Sequence, residues 1–239
     1  MRLLILGILL AAAAFAQPKR PVEELPVRDG TLRLTPIHHA SLMMEAGGQV
    51  VHVDPWSRGN YDGLPRADVI LITDTHGDHL DAAMVEKLKK PKTLVLGPAA
   101  VAEKLSGVTI IRNGETKVHG RWSFQAVPMY NLKRGPSEGK LFHDKGRGNG
   151  YVITYGGKRI YISGDTEGIP EMRALKDIDV ALVCMNLPYT MPPEEAADAV
   201  RAFAPKVVYP YHYRNSDLSV FQKALAGTNI DVRIRDWYY

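Results

Sequence analysis

Residues 67–73, Ala-Asp-Val-Ile-Leu-Ile-Thr, form a nearly continuous apolar run of strand length that leads directly into Asp74-Thr75-His76-Gly77-Asp78-His79-Leu80-Asp81. A short run rich in Ile and Val reads as a strand buried on both faces. Asp81–Lys90 then carries a helical pattern through Met84, Val85 and Leu88. The eight residues between strand and helix hold two of the eight histidines and three aspartates. In extended chain Asp74, His76 and Asp78 project to one side, and Gly77 is expected to let the backbone turn tightly. Imidazole and carboxylate are the ligands of zinc, manganese and iron. The plainer alternative is a helix N-cap with incidental histidines. Asp81 can cap the helix, but a cap takes one carboxylate, not a cluster.

The rest of the chain alternates strand groups and βα units. Thr31–Ile37, Ser41–Glu45 and Val50–Asp54 read as strands, with Gly47-Gly48 as a hairpin signal. Further strands are expected at Thr93–Leu96, Val108–Ile111, Glu115–Val118, Arg121–Val127, Tyr151–Tyr155, Arg159–Ser163, Val180–Cys184, Val207–Tyr209 and Val232–Ile234. Helices are expected at Pro98–Leu105, Ile169–Leu175, Pro193–Ala204 and Leu218–Leu225. No composition break divides them. The fold class is α/β or mixed α+β with two sheets, and residues 31–239 form a single domain.

The N-terminus stands apart. Met1-Arg2 precedes an apolar stretch from Leu3 to Phe15, and Ala14-Phe15-Ala16 supplies a small-x-small cleavage pattern. Residues 1–16 read as a secretory signal peptide, which places the chain in the periplasm or outside the cell with no stable membrane anchor after cleavage. The alternatives are a buried N-terminal helix or an uncleaved anchor. Residues 17–30, rich in Pro and charge, are expected to be an extension that wraps the surface. Cys184 is the only cysteine, so no internal disulfide forms; it lies in an apolar run and reads as an inert core residue. The net charge of +4 is mild and no long basic run occurs, which argues against nucleic acid as a partner. A small molecule is the expected partner.

Three more candidates lie at strand ends or in a long loop. Asp165 follows one strand in Ser163-Gly164-Asp165-Thr166, and His212 follows another in Tyr209-Pro210-Tyr211-His212. His143 lies in the polar, Gly-rich stretch 131–149. Carboxyl ends of strands are where α/β sheets place their sites. His76-x-Asp78-His79, Gly164-Asp165-Thr166 and a late strand-end His212, in that order, resemble the metallo-β-lactamase superfamily. His39-Ala40-Ser41, Val53-Asp54-Pro55-Trp56 and Arg159–Thr166 look like the branch of L-ascorbate-6-phosphate lactonase-like and N-acylphosphatidylethanolamine phospholipase D-like hydrolases.

The resemblance implies an αββα sandwich: two central mixed sheets, helices outside, and a metal site on the rim between the sheets. It implies one metal on Asp74, His76 and His143, and another on Asp78, His79 and His212, with Asp165 bridging. Asp74 stands where the family motif has histidine. Either it still ligates, making a harder site that shifts the odds from zinc toward manganese or iron, or it only hydrogen-bonds a ligand and one metal binds. His143 is either the family's third histidine or a solvated loop residue.

The implied activity is an exported hydrolase that uses a metal-bound hydroxide on a small ester, lactone or phosphodiester, with one or two divalent ions and zinc first among them. Asp78 would orient the water or carry its proton. His39 and Asp54 are candidates to hold a ligand in place. Tyr130 and Tyr189 are candidate substrate contacts. Lys133, Arg134, Lys140, Lys145 and Arg147 in the long loop suggest either a lid for an anionic substrate or a merely solvated loop. The alternatives are a one-metal binding protein with little hydrolytic activity, or a β-lactamase.

Overall fold

The structure is a computed structural model that describes residues 20–239. The signal-peptide reading of residues 1–16 falls outside the described residues.

Two seven-stranded sheets repeat one plan. The first has the order β1 (Glu23–Val27), β2 (Gly30–His38), β3 (Ser41–Ala46), β4 (Gln49–Val53), β5 (Ala67–Leu71), β6 (Lys89–Gly97) and β7 (Val108–Ile110). Its first four strands are antiparallel, and β4 to β7 are parallel. The second sheet comprises β8 (Thr116–His119), β9 (Trp122–Met129), β10 (Gly148–Tyr155), β11 (Lys158–Ile162), β12 (Val180–Cys184), β13 (Val207–Tyr211) and β14 (Asp231–Val232), again antiparallel first and parallel after. Helices α1 (Ala82–Leu88), α2 (Ala99–Ala102), α3 (Pro170–Arg173), α4 (Pro193–Phe203) and α5 (Leu218–Ala224) connect the later strands. Parallel neighbours need such crossovers, whereas the antiparallel part is closed by tight turns.

Alternation along β5 shows how the layers stack. Val69 and Leu71 join the large core between the sheets, with Leu42, Val51, Phe124, Tyr151 and Ile153. Ile70 and Ile72 face the other way, onto Met84, Val85 and Leu88 of α1 and Val101 of α2, and Ala67 joins them because the register shifts between Ala67 and Val69. On the second sheet Ala196, Ala197, Val200 and Phe203 of α4 close the outer face, with Phe203 edge-on to Tyr161 at 5.7 Å. The αββα expectation therefore holds. No helix among the described residues is long and apolar enough to cross a membrane.

Some boundaries differ from expectation. The N-terminal extension is not a loose wrap: Glu23–Val27 pairs with Gly30–Leu34 as the edge strand of the first sheet. Glu23 anchors that edge to the far end of the chain, accepting hydrogen bonds from Tyr209 (2.8 Å) and from Arg233 and Arg235. These partners lie more than 180 residues away, so local pattern could not show them. The helix expected over 81–90 ends at Leu88, because Lys89 turns to extended backbone and Lys89–Gly97 enters the sheet. Asp81 is the N-cap, accepting from Met84 N at 3.0 Å.

Candidate metal centre

The parallel strands of both sheets end at one rim. Asp54 follows β4, Asp74 follows β5, Asp165 follows β11, Asn186 follows β12 and His212 follows β13. His39 sits in the tight turn between β2 and β3 on the same rim, where its carbonyl accepts from His212 N at 3.1 Å. His39, Asp54 and His212 all have left-handed backbones, with φ of 56°, 43° and 50°. Such conformations cost a non-glycine residue of order 1–3 kcal/mol, and they cluster where a side chain must be aimed.

Gly164 sets Asp165. Its φ is +60°, and a Cβ there would lie 2.5 Å from Met129 Sδ and 3.1 Å from the Asn149 carbonyl. Only glycine fits both demands. The expectation for Gly77 is corrected: its φ is outside the left-handed region and a Cβ there would meet nothing within 4 Å. The turn after β5 is made instead by hydrogen bonds from His79 N and Leu80 N to the His76 carbonyl.

Asp165 lies at the centre of three imidazoles. Its carboxylate oxygens are 3.2 Å from His143 Nε2, 3.3 Å from His79 Nε2 and 3.5 Å from His212 Nε2. All four side chains are buried. His79 Nε2, His143 Nε2, His212 Nε2 and Asp165 Oδ1 have no hydrogen-bond partner. Buried polar atoms without partners are rare in folded chains and need an explanation. His79 Nε2, His212 Nε2 and an Asp165 oxygen, brought from separate strands and loops, lie within 4.8 Å of one another and make a donor set that fits a divalent cation, while His143 Nε2 reaches Asp165 from the side of Asp74 and His76. The remaining ring nitrogens are held from behind. His79 Nδ1 lies 2.9 Å from Asp54 Oδ2, which also accepts from Thr73 Oγ1 at 2.6 Å. His143 Nδ1 donates to Asn131 Oδ1, and the Asn186 amide lies 3.3 Å from His212 Nδ1. The acceptor oxygens behind His79 and His143 hold the proton on Nδ1 and leave Nε2 facing the centre, as outer partners of a metal-ligating histidine do.

Charge points the same way. Burial alone would strip the proton from His79, but the Asp165 and Asp54 carboxylates on its two nitrogens outweigh burial and raise its pKa well above the ordinary histidine value. Burial likewise pushes Asp165 up, yet His212 and His79 hold it well below the carboxylate range. Asp54, wholly buried, is raised because burial wins there. Asp74 and Asp78 add two further carboxylates to the rim, a donor type that suits a divalent cation.

Asp78 is set apart from its neighbours in sequence. Its Oδ2 accepts from His39 Nε2 at 3.1 Å and lies 3.5 Å from His212 Nε2; Oδ1 is 3.9 Å from His79 Nε2. Burial raises its pKa, but the neighbouring His212 and the hydrogen-bonded His39 overcome that and hold it far below the usual carboxylate range. His39 is itself pushed down to about 4 by burial and is anchored on its other nitrogen by Tyr238 OH at 2.7 Å. Asp74, His76 and His143 also lie within mutual reach, as do His39, Asp78 and His212. Both Asp74 oxygens, however, are taken by Arg147.

The centre forms one wall of a cavity of about 610 Å³, into which His76, Asp78, His143, Asp165 and His212 open. Trp56, Phe142 and Tyr189 give it aromatic walls, and Arg58 and Arg214 are its cations. Tyr189 thus stands where a substrate contact was expected. Tyr130 does not: its hydroxyl donates to Glu171 at 2.9 Å and it is no part of the cavity wall.

The loop cations are also directed elsewhere. Lys133 and Arg134 pair with Glu195, Lys145 with Glu171, and Arg147 with Asp74. Arg58 and Arg214 lie two residues after Trp56 and His212 of the quoted motifs, and the sequence reading passed over them because a single arginine in a turn carries no pattern of its own. Cys184 is buried, and burial pushes its thiol up to about 11, as an inert core residue requires.

Residues 33–212 match a family described as the Beta-lactamase superfamily domain. A UPF0173 metal-dependent hydrolase from Pyrococcus abyssi is 33% identical over 190 residues, covering 73% of this chain and 81% of that protein. Another from Thermodesulfovibrio yellowstonii is 30% identical over an alignment of 243 positions, covering 88% of this chain and 91% of that one. Among solved structures, a Parabacteroides distasonis protein assigned as a metal-dependent hydrolase superposes with a TM-score of 0.87 at 39% identity, covering 92% of this chain and 100% of that one.

Proposed function

The chain belongs to the β-lactamase superfamily, as a metal-dependent hydrolase, and we propose that within it the protein is an exported enzyme of the lactonase-like branch, acting on a small ester, lactone or phosphodiester that carries negative charge. One observation carries this reading: His143, His212 and Asp165, each with an unpartnered buried atom, line a cavity whose cations are Arg58 and Arg214, and the unpartnered His79 Nε2 lies 3.3 Å behind Asp165. His79, His212 and Asp165 would hold a divalent ion, with zinc first and manganese or iron as alternatives. When bound, such an ion supplies Lewis acidity that lowers the pKa of water toward neutrality.

The protein's own groups then have distinct tasks. Asp78 stays ionised and lines the cavity, so Asp78 Oδ1 serves as proton acceptor while His39 holds Oδ2. His39 cannot swing away, because Tyr238 grips its far nitrogen. Arg214, with Nη2 3.8 Å from Asp78, and Arg58, stacked 4.9 Å over Trp56, face the charged part of the substrate. Trp56, Phe142 and Tyr189 cover an apolar part and limit water.

The test is a hydrolysis panel of esters, lactones and phosphodiesters, each in neutral and anionic form, with a β-lactam arm. Expected is turnover of an anionic ester, lactone or phosphodiester that stops on chelation and returns with added zinc, manganese or iron. Turnover untouched by both chelation and His212→Ala overturns the reading, and turnover confined to the β-lactam favours the β-lactamase alternative. Export is tested separately, by sequencing the N-terminus of the chain recovered from the periplasm or medium; a start at Gln17 supports it and an intact Met1 refutes it.

A further inference from the structure

Asp74 and His76 belong to the same rim as the unpartnered cluster, yet they are not in the same state. Arg147 Nε donates to Asp74 Oδ1 at 3.0 Å and Arg147 Nη2 donates to Oδ2 at 2.7 Å. The same Nη2 is 3.4 Å from His76 Nε2, and His76 Nδ1 is 3.0 Å from Asp74 Oδ2. The Asp74 side chain is fully buried, and each of its oxygens accepts from Arg147. A two-pronged arginine–carboxylate pair is among the strongest polar contacts a protein makes. An imidazole at position 74, as the resemblance leads one to expect, could not receive both prongs. The aspartate is what makes the pairing possible.

Arg147 is placed there by the sheet, not by a chance fold of the loop. Its backbone N–H bonds the Asp144 carbonyl at 3.2 Å, and Gly148, the next residue, opens β10. A Cβ on Gly148 would run into Met129 and lie 2.9 Å from the Thr73 carbonyl. Asn149 N then bonds that same carbonyl at 2.9 Å. The chain carrying Arg147 is therefore clamped against the residue immediately before Asp74.

From this geometry, and resting on the metal centre read above, we propose that the Arg147 guanidinium replaces a second metal ion: the protein binds one divalent cation, on the His79–His212–Asp165 side, while Asp74 is a partner of Arg147 and not a ligand. The guanidinium occupies the oxygens a second ion would need, and its charge repels that ion. It also leaves a fixed positive charge beside the centre whatever the metal supply.

The experiment counts zinc per chain, by elemental analysis after equilibration with excess zinc and removal of the unbound ion. The full-length protein, Arg147→Met and Asp74→Asn are compared, with circular dichroism to confirm folding. Expected are one zinc in the wild type, one in Asp74→Asn, and a rise toward two in Arg147→Met, the second released at lower chelator concentration. Two zinc ions in the wild type falling to one in Asp74→Asn overturns the inference and leaves the hydrolase centre standing. A count that stays at one in folded Arg147→Met denies Arg147 its role. Should that variant fail to fold, the wild-type and Asp74→Asn counts still decide. A wild type that binds no zinc, manganese or iron removes the metal centre itself, and this inference with it.

Discussion

Asp54 stands directly behind His79, its Oδ2 2.9 Å from Nδ1 of that ring, while Nε2 of the same ring lies 3.3 Å from Asp165. Both side chains are sealed from solvent, and Asp54 is fixed in turn by the Thr73 backbone N–H at 2.8 Å and by its hydroxyl. A residue from the end of one strand thus dictates which nitrogen of a histidine 25 positions later faces the centre.

Asp54→Asn is expected to weaken metal binding roughly 10–100-fold, the usual cost of losing an outer partner of a ligating histidine. Asparagine still accepts from Thr73 but no longer holds the Nδ1–H with a charge. Competition against a chelator of known affinity measures the change; an unaltered affinity would show that Asp54 serves packing alone.

His52 predicts a pH-dependent stability unrelated to the centre. It is buried in β4, with Nε2 3.0 Å from the Pro65 carbonyl, and burial pulls its pKa from 6.5 to about 4. The unfolded chain takes up a proton as pH drops below 6.5, whereas the folded chain does not until about 4. Stability from this residue is therefore complete above the unfolded value and is lost as pH falls across that window. The slope is about 1.4 kcal/mol per pH unit, ~3 kcal/mol in all. Urea unfolding at several pH values between 7 and 4 should show a flatter profile in His52→Gln, and parallel profiles would remove His52 as the cause.

The two glycines near the centre should respond unequally. Gly164→Ala meets both a left-handed φ and Met129, so a loss of about 2–4 kcal/mol is expected, with weaker metal binding because Asp165 shifts. Gly77→Ala enters open space and should change stability by less than about 0.5 kcal/mol. Thermal melts of both variants, read with zinc titrations, check the pair.

Arg58→Ala should lower kcat/KM for an anionic substrate about fivefold, the worth of a half-solvated ion pair near 1 kcal/mol. The neutral analogue should be turned over almost as before. Raising the salt should shrink the difference, because the guanidinium is open to the cavity. An equal loss on both substrates would place Arg58 in packing against Trp56 instead.

Much of the plan was legible in one dimension. The run through Val69, Ile70 and Leu71 announced a strand covered on both faces, and it lies between the second sheet and α1. Acids and histidines after strands marked the rim, because the carboxyl ends of parallel strands share one edge. His79, Asp165, His212 and His143 could therefore be named before their positions were known, and they converge.

What stayed hidden was the choice of partner for each side chain. Asp74 and Asp78 sit four residues apart in one motif, yet one faces Arg147 and the other His39. Tyr130 and Tyr189 looked alike as candidates, but one turns to Glu171 and the other to the cavity. Local pattern carries periodicity, turn chemistry and residue type, which act over a few positions. Partnership depends on strand register and on loops that bring together residues tens to hundreds of positions apart, and a shift of one residue would redirect every side chain. The amino-acid order thus settled the layers and the kind of chemistry at their rim, while packing of the two sheets decided which carboxylates meet imidazole and which meets arginine.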